Sequence, residues 1–167
     1  LFVDIRLLKD ASKSARDEMK TSLAALSSDY KALLEEHAKL HSKLFNRMRL
    51  DIGGGADHAK PTESLIEESS FENINRALLE KQVDAGRYNI ICSTGELPPN
   101  LQGVWGGTYV PGWASDYTHN GNVPSSIASM LMANTPELML AYTTYMEGLV
   151  PYLEVNAERT FGARGIG

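Results

Sequence analysis

Two asparagines one residue apart, Asn120 and Asn122, have the chemistry and the spacing to act together on one small molecule. Side chains two positions apart share a face on an extended chain, and Pro124 biases the residue before it toward that geometry. We therefore predict that residues 118–123 are extended and that Gly121 lets a ligand come close. A carboxamide oxygen can accept a proton of a water molecule and so aim its lone pair at an electrophile, although a carboxylate elsewhere must take the proton. The alternative is that Asn, Gly and His residues only form turns here.

Aromatic residues precede this pair at regular intervals. Trp105, Tyr109, Trp113 and Tyr117 recur every four residues, as they would on one face of a helix. Pro111 and the glycines at 103, 106, 107 and 112 oppose a helix, so we predict a loop. Rings on a loop can pack on the C–H faces of a sugar while polar neighbours bind its hydroxyls, or they can simply anchor the loop to the core. The candidate substrate-binding residues are Trp105, Trp113, Asp116, Tyr117 and His119.

The elements that would position this loop are mainly helices. Residues 1–10 alternate loosely between apolar and polar types, which indicates a short strand. Helical periodicity begins over residues 11–26, and a stronger helix follows the capping candidates Ser27 and Ser28. Three glycines and a proline over residues 51–65 indicate a turn or linker.

A third helix is predicted to start after Ser70 as its cap and to run toward the long loop of residues 93–122. That loop concentrates aromatic residues, which are depleted in disordered segments, so a functional role is the better interpretation. Helix returns at residues 125–133. A further helix begins where Thr135 caps and Pro136 takes the first helical position.

Composition limits the classes of function. The 167 residues are 43% hydrophobic with a net charge of −5, so the chain has no basic surface for nucleic acid, and no apolar run is long enough for a membrane span. His37 and His41 have a spacing that can hold zinc, but Ala38 stands where a zinc protease has Glu. The glycines at 53–55 lack the Lys-Ser/Thr of a phosphate loop. We predict no metal and no cofactor. The single cysteine, Cys92, leaves the compartment open.

Three stretches of the sequence together hold four motifs, the first stretch holding two of them. The stretches "GRYNIICSTGELPPNLQGVWGG", "PGWASDYTHNGN" and "FGARGI" resemble successive landmarks of glycoside hydrolase family 95, the inverting α-L-fucosidases and related α-L-galactosidases. "HAKLHSKLFNRMRLDIG" and "KPTESL" resemble the segment before the barrel of that family, so the resemblance covers about residues 30–167. It implies a β-sandwich, a helical linker, an (α/α)6 barrel of the six-hairpin glycosidase type and a C-terminal β domain.

For this chain the resemblance implies a mainly α fold. Residues 1–60 would be the N-terminal strand and helical linker, and residues 61–167 the opening helices and active-site loop of an incomplete barrel. The chain starts at Leu1 rather than Met, so we expect the natural start to lie upstream. The expected partners are a carbohydrate substrate and the remaining segments of the barrel or other chains. Members of the family suggest a secreted or periplasmic protein.

The resemblance also implies roles for the two asparagines. In the family, an Asn-x-Asn pair holds and helps activate the attacking water, assisted by an aspartate, while a glutamate is the general acid. The pair maps onto Asn120 and Asn122, whereas both carboxylates belong to later barrel segments, so this chain alone should be inactive. "VPSSIASM" follows here instead of the usual Met-Asn-Tyr-Trp-Pro segment, and Gly121 replaces the usual Ile, which leaves the sugar specificity open.

Two other classes of function stay open on the residues alone. One is a helical interaction or carbohydrate-binding module without catalysis, in which the aromatic loop packs on a partner. The other is a plain structural helical domain whose loop aromatics are buried in its core.

Overall fold

A computed structural model describes residues 12–101, 108 and 110–166 of the chain. The described residues form helices, turns and loops, and none of them lies in a strand. The mainly α fold is therefore as predicted. The strand predicted for residues 1–10 lies outside the described part of the chain.

The chain divides into two compact units, Leu1–Leu40 and His41–Gly167. The division falls inside the helix α2, which spans Tyr30–Phe45. The separation into a linker over residues 1–60 and a barrel segment over residues 61–167 stays a prediction. None of the helices among the described residues is long and apolar enough to cross a bilayer.

The first two helices are α1, Lys13–Ala24, and α2, Tyr30–Phe45. Both are predicted by the apolar periodicity of the sequence. The cap of α2 is Asp29, whose Oδ1 accepts a hydrogen bond from the backbone N–H two residues further on at 2.9 Å. The prediction of Ser27 or Ser28 as the cap is wrong. The aspartate lies directly before the helix and offers a charged acceptor to its unsatisfied N–H groups.

The second unit contains a 3₁₀ helix, Gly55–Ala59, and the helices α3, Thr62–Glu67, and α4, Arg76–Ser93. The predicted turn thus holds two short helices. Asn75 caps α4, because its Oδ1 accepts a hydrogen bond from a backbone N–H of the first turn at 2.8 Å. The predicted start at Ser70 is wrong, since the Ser70 hydroxyl accepts a hydrogen bond within a separate turn ahead of the helix.

Two short helices, α5, Asn122–Ile127, and α6, Ser129–Met132, follow the long loop. The helix predicted for residues 125–133 therefore starts earlier and is broken in two. Both pieces contribute to the main apolar cluster of the second unit, to which α4 and the last helix also contribute. Its buried members are Ile91, Ile127, Met130 and Leu138.

The last helix, α7, spans Pro136–Phe161. Pro136 takes the first helical position, as predicted, and the helix continues through Pro151. Thr135 precedes the helix, but its side chain is not a cap, because the hydroxyl donates to the carbonyl oxygen of Met130 at 2.9 Å. A buried hydroxyl takes the acceptor that is within reach, and here that acceptor is a carbonyl oxygen of α6.

A buried carboxylate on α4 fixes the glycine-rich segment. Glu80, 2% exposed, accepts hydrogen bonds from the backbone N–H of Ile52 at 2.5 Å and of Gly54 at 3.1 Å, and it also contacts His58 Nε2. These hydrogen bonds hold the pKa of the Glu80 carboxyl below its ordinary value, and the one from the Ile52 N–H has the largest effect. Glycine is needed at position 54, where a Cβ atom would lie 2.7 Å from the Cα of Ala77.

A buried arginine in the middle of α4 joins the ends of two other helices. Arg87, 4% exposed, donates to the carbonyl oxygen of Ala133 just after α6, and to those of Leu44 at 3.1 Å and Phe45 at 2.9 Å at the end of α2. Burial lowers the pKa of its guanidinium, and Asp84 acts in the opposite direction. Arg87 thus satisfies carbonyl groups that helix ends leave without intrahelical partners.

Candidate active site

The Asn-Gly-Asn segment is a tight turn that leads into α5, so the prediction of an extended chain over residues 118–123 is wrong. The Val123 N–H donates to the carbonyl oxygen of Thr118 at 3.1 Å, and the helix begins at Asn122. The bias of Pro124 is overcome because a proline in the first helical turn removes no intrahelical hydrogen bond. Helix also buries Val123 completely, which favours this arrangement over an extended one.

Both asparagines of this segment are exposed. Asn120 is exposed within the turn, and Asn122 is exposed at the first position of α5. Among the residues that the structure describes, neither side chain has a hydrogen-bond partner. Asn120 does stand in a turn, as the alternative interpretation expects, and Asn122 opens the helix, but neither amide group is used to hold the backbone there.

Two hydrogen bonds fix the loop just ahead of the turn. The Leu101 N–H donates to the carbonyl oxygen of Asp116 at 3.0 Å, and the Tyr117 hydroxyl donates to the carbonyl oxygen of Pro98 at 3.3 Å. The Asp116 carboxylate is exposed and accepts a hydrogen bond from the Thr118 hydroxyl at 2.8 Å. The approach to the asparagines is therefore tied to the segment that follows α4.

Four rings from the loop and from α7 pack together beside the turn. The Tyr117 ring lies 4.6 Å from the Tyr145 ring, and the His119 ring stacks on Tyr145 at 5.5 Å and also meets Tyr142 at 6.1 Å. The His119 Nε2 atom lies 3.4 Å from the Tyr145 hydroxyl oxygen. The His119 Nδ1 atom is buried and has no hydrogen-bond partner among the described residues. The cluster places a histidine against three tyrosine rings, one position ahead of Asn120.

Burial raises the pKa of the Tyr117 phenol, and the neighbouring Tyr145 adds to the rise. Burial likewise raises the pKa of the Tyr145 phenol, with Tyr142 as the second cause. Both phenols start from an ordinary value of 10.0, so they remain protonated at neutral pH and can donate hydrogen bonds.

Trp113 stands apart from this cluster on a left-handed turn. The backbone φ is 58° at Trp113, 55° at Ala114 and 51° at Ser115, a conformation that side chains with a Cβ atom seldom adopt. The indole is 84% exposed. The described part of the aromatic stretch is thus a loop, as predicted, and this ring does not anchor it to the core.

The structure brings some of the predicted site residues together and leaves others apart. Tyr117 and His119 contact each other and lead directly into the asparagine turn, with Asp116 beside them. Trp113 lies on a separate turn, and Trp105 lies outside the described residues. Sequence reasoning missed two contributors on α7, Tyr142 and Tyr145. Both have helical spacing on α7, and their hydroxyl groups, three residues apart, are the signal in the sequence that could have pointed to them.

Residues 29–167 match the family model described as "Glycosyl hydrolase family 95 catalytic domain". The match covers most of the chain, and the chain belongs to this family.

Curated relatives carry fucosidase names. The chain is 34% identical over 151 residues to "Probable alpha-fucosidase A" of Aspergillus niger, covering 86% of this chain and 18% of the fungal protein. It is 32% identical over 154 residues to the protein of the same name from Aspergillus oryzae, covering 87% and 21%. It is 28% identical over 142 residues to "Alpha-L-fucosidase 2" of Arabidopsis thaliana, covering 81% and 17%. The chain spans about a fifth of the length of these relatives.

Proposed function

We propose that this chain forms the opening part of the catalytic barrel of an inverting glycoside hydrolase that removes terminal α-L-fucosyl or closely related sugars. In this proposal Asn120 and Asn122 hold and orient the water that attacks the anomeric carbon. The general acid and the carboxylate that takes the water's proton come from elsewhere in the whole protein, so the chain by itself is inactive.

One observation carries the assignment: the carboxamides of Asn120, in the turn before α5, and of Asn122, at its first position, are exposed and have no hydrogen-bond partner among the described residues. An amide that only shaped the turn would bond to the turn's own backbone, as Asx turns do. A free amide instead offers an oxygen acceptor and two N–H donors to a water molecule or a sugar hydroxyl. The family membership and the names of the relatives support a sugar as the ligand.

The chemistry of inversion explains why amides are useful at this position. Inversion needs a proton for the leaving oxygen on one face of the sugar and a deprotonated water on the other. An amide cannot take that proton, but it can fix the direction of the attacking lone pair, and misplacing a reacting atom by about 1 Å can cost on the order of 10²-fold in rate. The rings of Tyr117 and His119 next to the turn would pack against the sugar.

The test is to change each asparagine to alanine in the whole protein and to assay hydrolysis of an aryl α-L-fucoside. We expect kcat to fall on the order of 10²-fold for Asn120→Ala and for Asn122→Ala, with a small change in KM, because orientation of the water matters most in the transition state. Proton NMR of the first product should show the inverted anomer.

Asn156→Ala is the matched control, since Asn156 is an exposed asparagine on α7 outside the candidate site. It should keep the turnover of the unmodified protein, and circular dichroism should show that all three variants are folded. Turnover that is unchanged in both Asn120→Ala and Asn122→Ala would remove the proposed role. Retention of the anomeric configuration would remove the inverting mechanism.

A further inference from the structure

Asn120 is followed by Gly121, and this is the one Asn-Gly pair in the sequence. The pair lies in the turn that the hydrogen bond from the Val123 N–H to the Thr118 carbonyl closes. Asn120 is exposed, so water has direct access to its side chain. Two residues further on, Asn122 is also exposed, but it is followed by the β-branched Val123.

The backbone around Gly121 leaves room for a reaction between neighbouring groups. The Gly121 N–H donates to no hydrogen bond with the described residues, so no acceptor has to be given up when this nitrogen changes position or loses its proton. Gly121 has no side chain to shield the nitrogen, and no described atom outside Gly121 and its two chain neighbours lies within 4 Å of the position where its Cβ would be. Both conditions favour attack by the Gly121 nitrogen on the side chain before it.

We propose that Asn120 is a site of spontaneous deamidation. The Gly121 amide nitrogen loses its proton and bonds to the Cγ atom of Asn120, the Cγ–Nδ2 bond breaks, and ammonia leaves with that proton. The five-membered succinimide then takes up one water, which opens either of its two carbonyls. The net reaction consumes one water, releases one ammonia and leaves an aspartate or an isoaspartate at position 120, with no change of oxidation state.

The consequence for activity rests on the proposed function of Asn120. Deamidation replaces two N–H donors by a negative oxygen, and isoaspartate formation also moves one carbon of the side chain into the main chain. Either product alters the geometry that would orient the water. The protein would thus lose turnover as the modified fraction grows, at a rate set by its own sequence.

The experiment is to incubate the whole protein at mildly alkaline pH in normal and in heavy-oxygen water, and to follow peptides by mass spectrometry. Chymotryptic cleavage after Tyr117 and Leu131 releases one peptide that contains both asparagines. We expect a heavier form to accumulate with the mass change of amide to acid, increased by the isotope in heavy-oxygen water. Fragmentation should locate the change at Asn120, with Asn122 unmodified as the internal control.

Gly121→Ala and Gly121→Ile are the matched variants, because the open space at this position accepts a side chain. Neither variant should form the heavier peptide over the same incubation. Two variants are used so that the test stands if one of them fails to fold. The proposal would be overturned if Asn120 stayed unmodified in the protein with Gly121, or if that protein and both variants were modified equally. Either result would leave the proposed function untouched. A modified protein that keeps full turnover would instead refute the role of Asn120 in catalysis while the modification stands.

Discussion

Replacing Arg87 by methionine removes the guanidinium and keeps a side chain of similar length on α4. The buried hydrogen bond to the Ala133 carbonyl is charge-assisted and contributes about 1.5–3 kcal/mol. The bonds to Leu44 and Phe45 are only part-buried, so water can replace them at a smaller cost. We expect a loss of about 3 kcal/mol in the free energy of unfolding, which lowers the melting temperature of a domain of about 150–250 residues by about 6–12 °C and that of a larger domain by less.

Differential scanning calorimetry of the whole protein measures this shift, and hydrogen exchange at the ends of α2 and α6 should show faster opening there. The melting temperature of Arg87→Lys should lie between those of Arg87→Met and the unmodified protein, because an ammonium keeps the charge but cannot present a planar fork to three carbonyls. Arg76→Met is the matched control, since Arg76 is an exposed arginine at the start of the same helix. Equal melting temperatures for Arg87→Met and Arg76→Met would refute the reasoning.

Further predictions concern the glycine-rich segment and the buried Glu80 that binds it, with Gly86 of α4 as a comparison. Gly54→Ala should lower the free energy of unfolding by about 1–3 kcal/mol, because its Cβ would meet the backbone of Ala77. Gly86→Ala in α4 should instead raise the free energy of unfolding by about 0.5–1 kcal/mol. Urea titration measures both changes, and an unchanged stability of Gly54→Ala would contradict the close packing. The Glu80 carboxyl has a folded pKa below its ordinary 4.5, so its stabilisation is complete above that pH and is lost as the pH falls through the folded pKa. Urea midpoints should therefore drop less below pH 4.5 in Glu80→Gln than in the unmodified protein, and equal drops would contradict the assignment.

Local signals in the sequence predicted most of the helices. The apolar period of α1 and α2 is a property of neighbouring residues, and Pro136 marks the start of α7 because proline fits the first helical position. Local signals failed where two of them competed. Ser70 and Asn75 are both good caps, and the choice between them depends on the turn that Ser70 closes with its own neighbours.

The asparagine turn shows why part of the candidate site could not be predicted. Pro124 favours an extended residue before it in isolation, but complete burial of Val123 in the helical arrangement outweighs that local preference. The partners of Glu80 and Arg87 lie more than twenty residues away along the chain, so no period or motif of the sequence reveals them. The same is true of Tyr145, which reaches His119 only because α7 folds back beside the loop.

The left-handed turn at Trp113 leaves its indole ring exposed to solvent. A ring that is 84% in water adds little to the stability of the folded chain, since the gain from removing a tryptophan side chain from solvent, about 150–250 Å² of area, has not been realised. That gain remains for whatever molecule or segment covers the indole. A change at Trp113 should therefore have little effect on the free energy of unfolding, and any effect on function would come through a molecule or segment that covers the indole.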